Sequence, residues 1–121
     1  MKTRLVVNDD LKPYIAESID RSIENGYVSK WYAEHNIDPF NWQWLFKFDN
    51  NYGASVVKHW GSYGFEEDLF ELAIIEWSED DLNGFHLVYE TSIIKDCVDG
   101  HLSNEEVMDY LYKIKDLKEG E

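Results

Sequence analysis

Apolar and polar residues alternate along residues 42–49, which read WQWLFKFD. In an extended chain Trp42, Trp44, Phe46 and Phe48 would share one face, because side chains two positions apart lie on the same side of a strand. An alternating run of this length, followed by turn-forming residues, is typical of a strand buried on one face. Residues 42–49 are therefore predicted to form a strand.

Three further segments have the composition of strands, at residues 54–60, 69–77 and 85–91. The glycine-containing stretch GSYG separates the first two, and the polar stretch SEDDLNG separates the second from the third. Short connections rich in turn residues join neighbouring antiparallel strands. The four segments therefore predict an antiparallel sheet in hairpin order.

Helical patterns lie on both sides of this sheet region. Toward the N-terminus, isoleucine recurs every four residues, at Ile15, Ile19 and Ile23. This spacing is typical of the apolar stripe of an amphipathic helix, and residues 8–10 could cap its start. A shorter helix is predicted at residues 29–35. Near the C-terminus, Ser103 and Glu106 have the spacing of a capping box, which predicts a helix over residues 103–117.

The predicted fold class is α+β in a single domain, residues 1–121. It comprises an N-terminal helical segment (1–41), a four-stranded antiparallel sheet (42–91) and a C-terminal helix (103–117) packed on the sheet. A chain of this length falls within the usual size range of one domain.

Charge adds the first indication of function. The chain has 25 acidic and 11 basic residues, a net charge of −14, and most of the excess lies after residue 65. Such a field repels free nucleic acid and anionic membranes and attracts basic protein surfaces. The single cysteine excludes an intrachain disulfide, and no apolar run approaches the length of a membrane span, so we expect a cytoplasmic protein.

The candidate partner-binding site is an acidic surface with aromatic neighbours. A folded array of carboxylates can occupy a Lys- and Arg-lined groove in place of nucleic-acid phosphates. The alternative is a solvated face that only confers solubility. The residues assigned to this surface are Glu66, Glu67, Asp68, Glu71, Glu76, Glu79, Asp80 and Asp81, with Trp60 and Tyr63 as aromatic anchors.

Other chemistries find weaker support in the sequence. Asp96, Cys97, Asp99 and His101 are residue types that bind metals, but their spacing fits neither zinc sites nor a calcium loop. The four histidines are scattered, and no nucleophile motif accompanies His59 or His86, which would have to converge in a small hydrolase. We therefore expect no enzyme, no catalytic residue, no metal and no cofactor.

Part of the chain resembles a known group of proteins. The run NYGASVVKHWGSYGFEEDLFELAIIEW, followed by YETSI, the DCVDG turn and HLSNEEVMDYLYKIKDL, is similar to small bacteriophage and prophage proteins. The resemblance covers a little over half the chain, and residues 1–41 lie outside it. Small acidic phage proteins include inhibitors of restriction and CRISPR nucleases, some of which mimic DNA.

The resemblance and the charge together predict a phage-encoded, non-enzymatic inhibitor. Its expected partner is a basic host nucleic-acid-handling complex, with a CRISPR effector nuclease as the first candidate, and it would not bind nucleic acid directly. The alternative is a phage accessory protein that binds another phage protein, or itself, through aromatic residues. Affinity should weaken with salt in the first case and be nearly salt-independent in the second.

Overall fold

A computed structural model describes residues 2–21, 41–59, 61–89, 91–94 and 98–118. Within these residues the chain forms an antiparallel sheet of six strands and one α-helix, with short 3-10 helices at Lys12–Tyr14 and Phe65–Glu67. The elements are β1 (Ile15–Arg21), β2 (Asn41–Lys47), β3 (Tyr52–His59), β4 (Phe70–Trp77), β5 (Phe85–Leu87), β6 (Val98–Leu102) and α1 (Asn104–Lys115). The α+β class and the helix on the sheet are therefore confirmed.

Strands β1 to β4 lie side by side in chain order, and β5 and β6 share the outer edge of β4. Strand β5 pairs with residues 75–77, and the Val88 N–H donates to the Ile74 carbonyl at 2.9 Å. Strand β6 then begins opposite Ala73. The outer edge of β4 is thus paired first with residues 85–88 and then with residues 98–102.

The core lies between the sheet and α1. One sheet face contributes Phe46, Ala54, Val56, Phe70, Leu72 and Ile74, and α1 contributes Val107, Met108, Leu111 and Ile114. Phe70, Leu72 and Ile74 lie two residues apart along β4, and all three are buried in this cluster. Burial of this apolar stripe is the main force that holds the helix on the sheet.

The start of α1 is fixed as the sequence predicts. Ser103 is its N-cap, the Glu106 N–H donates to the Ser103 hydroxyl at 3.2 Å, and the Ser103 N–H donates to the Glu106 carboxylate at 3.0 Å. Two N–H groups that a helix end leaves unpaired are satisfied reciprocally. The predicted helix over 103–117 corresponds to Asn104–Lys115.

The predicted helix near the N-terminus is wrong over residues 12–21. These residues form a single 3-10 turn and then β1, which pairs with β2. The pairing contains a bulge between Ile15 and Glu17, and a bulge changes which residues share a strand face. A spacing of four residues fits one face of a regular strand as well as a helix, so the isoleucine pattern alone does not distinguish the two. Residues 22–40, which include the second predicted helix, lie outside the described residues.

The sheet also has more strands than the predicted four. Strand β1 replaces the helix. Strand β6 includes Asp99 and Gly100 of the predicted DCVDG turn, two residue types that are poor strand formers. Strand β6 tolerates them with a bulge, seen as a register shift opposite the segment from Phe70 to Leu72. His101 lies at this bulge with a positive φ of 55°.

The N-terminal arm, residues 2–11, packs alongside the helix and the sheet. Leu5 and Leu11 are buried in the core. The Val6 N–H donates to the Asn104 side chain at 2.7 Å, and the Asn104 amide donates back to the Val6 carbonyl at 2.9 Å. The arm is thereby fixed to the first turn of α1. Among the described residues, no helix has the length and apolar composition needed to cross a membrane.

Candidate partner-binding site

The structure divides the predicted acidic surface into two parts at opposite ends of β4. Glu66, Glu67 and Asp68 precede the strand, whereas Glu79, Asp80 and Asp81 follow it. Strand β4 has eight residues, and at 3.3 Å per residue its ends are ~23 Å apart. The two groups therefore form separate surfaces, here named the 61–68 loop and the 78–84 loop.

The 61–68 loop is a compact turn built on left-handed backbone conformations. Gly61 and Gly64 have φ angles of 92° and 97°, and Asp68 ends the 3-10 helix Phe65–Glu67 with a φ of 61°. The Leu69 N–H donates to the Gly64 carbonyl at 2.9 Å and closes the loop. Glycine populates positive φ without steric cost, which explains the GSYG sequence at this turn.

The bulge of β6 contacts this loop and helps to fix its backbone. The His101 N–H donates to the Tyr63 carbonyl at 3.1 Å, and the Tyr63 N–H donates to the Glu71 carboxylate at 3.1 Å. A Cβ atom on Gly100 would lie 2.2 Å from the Cβ of Tyr63. The backbone of the loop is therefore held in place, and Glu71 is one of the groups that hold it.

Asp68 anchors the end of the loop through Lys58, whose side chain is fully buried. The Lys58 ammonium donates to the Asp68 carboxylate at 2.7 Å, to the Asp68 carbonyl at 3.0 Å and to the Thr3 carbonyl at 2.7 Å. It also lies 3.9 Å from the centre of the Phe70 ring. All three donors of the buried ammonium are satisfied, as burial of a charge requires.

The pKa values at this pair follow from burial and pairing. Burial lowers the pKa of Lys58, and the Asp68 carboxylate opposes that shift. Burial acts to raise the pKa of Asp68, but hydrogen bonds from Lys58 and Thr3 outweigh it and lower the pKa to about 2. Asp68 is thus held as a carboxylate inside the fold, and its role in the structure is to join the loop to β3 and the N-terminal arm.

Glu66 and Glu67 differ from Asp68 in having no internal role. Both are exposed, and neither forms an ion pair with any described residue. Next to them, Tyr63 is 60% exposed although its backbone is fixed. Residues 61–67 and His101 surround an open groove of about 300 Å³. The groove combines a free aromatic ring with two free carboxylates on a fixed backbone.

Some of the acidic residues at and near the 78–84 loop also form contacts within the protein. His86 lies between two carboxylates, with Nδ1 2.7 Å from Asp81 and Nε2 3.2 Å from Glu76. The hydrogen bond to Asp81 is the main cause of the raised pKa of His86. Glu79 and Asp80 remain exposed beside Leu82, whose side chain is fully exposed.

The remaining candidates of the sequence are placed as follows. Trp60 and the metal candidates Asp96 and Cys97 lie outside the described residues. Asp99 accepts a hydrogen bond of 2.5 Å from the Tyr110 hydroxyl, which raises the pKa of Tyr110 to about 12. No group of three potential metal ligands exists among the described residues.

The histidine pair considered for a hydrolase is separated. His59 ends β3 beyond the residue that pairs with Glu71, whereas His86 pairs with Glu76. The two side chains therefore lie toward opposite ends of β4 and cannot converge on one substrate. This arrangement gives no support to the hydrolase alternative.

The roles of two residues at the site are not predicted from the sequence. Lys58 lies on a strand between apolar residues, where an alternating pattern places it toward the core, but only the fold shows that Asp68 and Thr3 reach it. His101 lines the groove because β6 is bulged at this residue, and the sequence alone does not predict that bulge. Comparisons with protein-family models, with curated proteins and with solved structures give no match to this chain.

Proposed function

We propose that this protein is a non-enzymatic inhibitor that binds a basic surface of a nucleic-acid-handling defence complex. The observation that carries the proposal is the pair of free carboxylates, Glu66 and Glu67, beside the exposed Tyr63 on a fixed loop. In the phage setting implied by the resemblance, a CRISPR effector nuclease is the first candidate partner.

The charges favour a partner lined with Lys and Arg. With a net charge of −14, the chain accelerates encounter with a basic surface, and the free carboxylates of the 61–68 loop then replace phosphates at short range. Tyr63 supplies contact area at the centre of the same surface, as aromatic residues do at interfaces. Binding releases the ions that surround both surfaces and therefore weakens as salt is added.

The acidic residues lie in two separate loops, which narrows the proposed surface to one of them. The 61–68 loop and the 78–84 loop are ~23 Å apart along β4, so a compact partner groove engages one of them closely. The 61–68 loop is the better candidate, because its free acids adjoin a groove and an exposed aromatic ring. Glu71, Glu76 and Asp81 contribute negative charge from hydrogen-bonded positions, whereas Lys58 neutralises the charge of Asp68.

Affinity capture tests the proposal. Tagged protein is incubated with nuclease-treated bacterial lysates that express CRISPR effectors and restriction enzymes, and the retained proteins are identified by mass spectrometry. We expect recovery of a basic nucleic-acid enzyme that is lost at high salt, and loss of its nuclease activity when the pure components are mixed.

A pair of variants makes the test specific to the loop. Glu66→Lys with Glu67→Lys reverses the free acids and should abolish capture, whereas Glu79→Lys with Asp80→Lys makes the same change in net charge at the other loop and should retain most of it. Both pairs leave the Lys58–Asp68 ion pair intact. Equal loss in the two variants would show that only net charge matters and would refute the assigned surface.

A second candidate rests on exposed apolar side chains. Tyr63, Leu82 and Tyr89 are 60%, 103% and 65% exposed. They favour the accessory alternative, in which the protein binds another phage protein or itself by aromatic contacts. In that case Tyr63→Ala and Tyr89→Ala would weaken association more than the charge reversals do, and added salt would have little effect.

A further inference from the structure

The groove beside the 61–68 loop has walls that are fixed before any ligand binds. A Cβ atom on Gly64 would lie 2.8 Å from the Cα of His101, so the loop and the β6 bulge are in direct contact. His101 holds a positive φ of 55° at this contact, a conformation that few non-glycine residues adopt. A cavity with a fixed backbone loses little conformational entropy when a ligand enters.

The groups around the groove suit a cation with a flat face. Glu66 and Glu67 offer carboxylate oxygens, and the ring of Tyr63 is exposed beside them. Negative charge attracts any cation, whereas an aromatic face also attracts one through its quadrupole. An anion or an apolar ligand would leave both carboxylates uncompensated.

The same loop already binds two ammonium groups of the chain. Lys58 is paired with Asp68, and the Lys2 ammonium donates to the Phe65 carbonyl and lies 4.3 Å from the centre of the Phe65 ring. These internal contacts show that the carboxylates, carbonyls and rings of this segment stabilise cations. Glu66 and Glu67 form no ion pair within the described residues and remain available for an external one.

We propose that the groove binds the guanidinium group of an arginine side chain, an inference that rests on the proposed function for the basic partner that supplies it. Arginine is preferred to lysine because its planar guanidinium can stack on Tyr63 while its forked donors reach both carboxylates. The ammonium of lysine is a compact, strongly hydrated charge and lacks this geometry.

The groove can be tested without the partner. Isotope-labelled protein is titrated with N-acetyl-arginine amide at neutral pH and constant ionic strength while the amide NMR signals are followed. We expect saturable shifts confined to residues 61–67 and His101, with a Kd on the order of millimolar, as fits a few weak contacts. N-acetyl-lysine amide should bind the same signals more weakly.

Matched variants identify the groups that bind. Tyr63→Ala should weaken arginine binding by about 2- to 5-fold, the factor that corresponds to an exposed cation–π contact, and Tyr63→Phe should restore it. Glu66→Gln with Glu67→Gln should weaken binding by at least a similar factor. Glu79→Gln with Asp80→Asn removes the same charge from the other loop and should leave binding unchanged. The NMR spectrum of each variant verifies that the fold is retained.

Three results would overturn this inference: no saturable shift at the groove, equal shifts at the 78–84 loop, or equal affinity for the lysine compound. The proposed function fails separately. If the groove binds arginine but capture recovers no basic nucleic-acid enzyme, the inhibitor proposal is wrong, whereas the assignment of the groove to a guanidinium group still holds. If capture depends on Glu66 and Glu67 but the groove binds no arginine, only the guanidinium assignment is wrong.

Discussion

The ion pair between Lys58 and Asp68 gives the sharpest test of how the loop is held. Asp68→Asn removes the negative charge with little change in shape, and Asn also tolerates the left-handed conformation that Asp68 adopts at φ 61°. Its amide oxygen can still accept a hydrogen bond from Lys58. The substitution removes the charge and one hydrogen bond, because an amide NH2 group cannot accept from the Thr3 hydroxyl as Oδ2 of Asp68 does.

The expected loss of stability follows from the pKa of Asp68. Folding lowers this pKa from 3.8 to about 2, and each unit corresponds to about 1.4 kcal/mol of differential stabilisation. The product is roughly 2–3 kcal/mol. Because the carboxylate is 32% exposed, screening by water reduces the actual contribution below this product. We expect Asp68→Asn to lower the free energy of unfolding by about 2 kcal/mol at pH 7.

The pH dependence of that loss is the discriminating measurement. The folded-state pKa is depressed, so the stabilisation is fully present above pH 3.8 and is lost as the pH falls through about 2. Denaturant unfolding of both proteins at several pH values should show their difference shrink between pH 4 and pH 2. Asp80→Asn, at an exposed acid, should change stability by less than about 0.5 kcal/mol. If wild type and Asp68→Asn have the same free energy of unfolding at pH 7, this reasoning is refuted.

Two further predictions concern the other end of the sheet. Gly53→Ala would place a Cβ atom 1.8 Å from the Phe46 carbonyl oxygen, so thermal and denaturant unfolding should show a loss of more than about 2 kcal/mol. Gly61→Ala is the control, because a Cβ atom there has open space and the only cost is the strain of a positive φ, about 1 kcal/mol. Equal losses of stability in the two variants would contradict the steric explanation. The hydrogen bond to Asp81 raises the pKa of His86, so this contact stabilises the fold below pH 6.5 and is lost as the pH rises through the folded-state value. The stability difference between wild type and His86→Gln should accordingly be larger at pH 5.5 than at pH 8.5, and a pH-independent difference would argue against the pairing.

The central sheet and the last helix could be predicted because their local patterns agree with the tertiary structure. The alternation in residues 42–49 matches β2, where Trp42 and Phe46 are buried. The Ser103–Glu106 capping box forms as its spacing implies. In both cases the residues that determine the structure are neighbours in sequence.

The prediction failed where bulges decide the structure. Strand β1 has a register shift between Ile15 and Glu17, and its four-residue isoleucine spacing fits a strand as well as a helix. The bulge in β6 places turn-forming residues in a strand. A bulge places two residues of one strand opposite one residue of its partner, so it is defined by the pairing and not by the apolar spacing along a single strand. The sequence shows that acidic residues are abundant, but only the fold distinguishes Glu66 and Glu67 from Asp68, whose charge the buried Lys58 neutralises.

The N-terminal arm has a consequence for how the protein folds in the cell. Its bonds join Thr3 to Asp68, Val6 to Asn104 and Asn8 to Tyr112, over separations of 65, 98 and 104 residues. At synthesis rates of roughly 5–20 residues per second, the arm emerges from the ribosome about 5–20 s before the helix that it contacts. Contacts so distant in sequence also slow folding in general. The arm therefore cannot complete its contacts until α1 has been synthesised, and until then its residues remain open to chaperones and proteases.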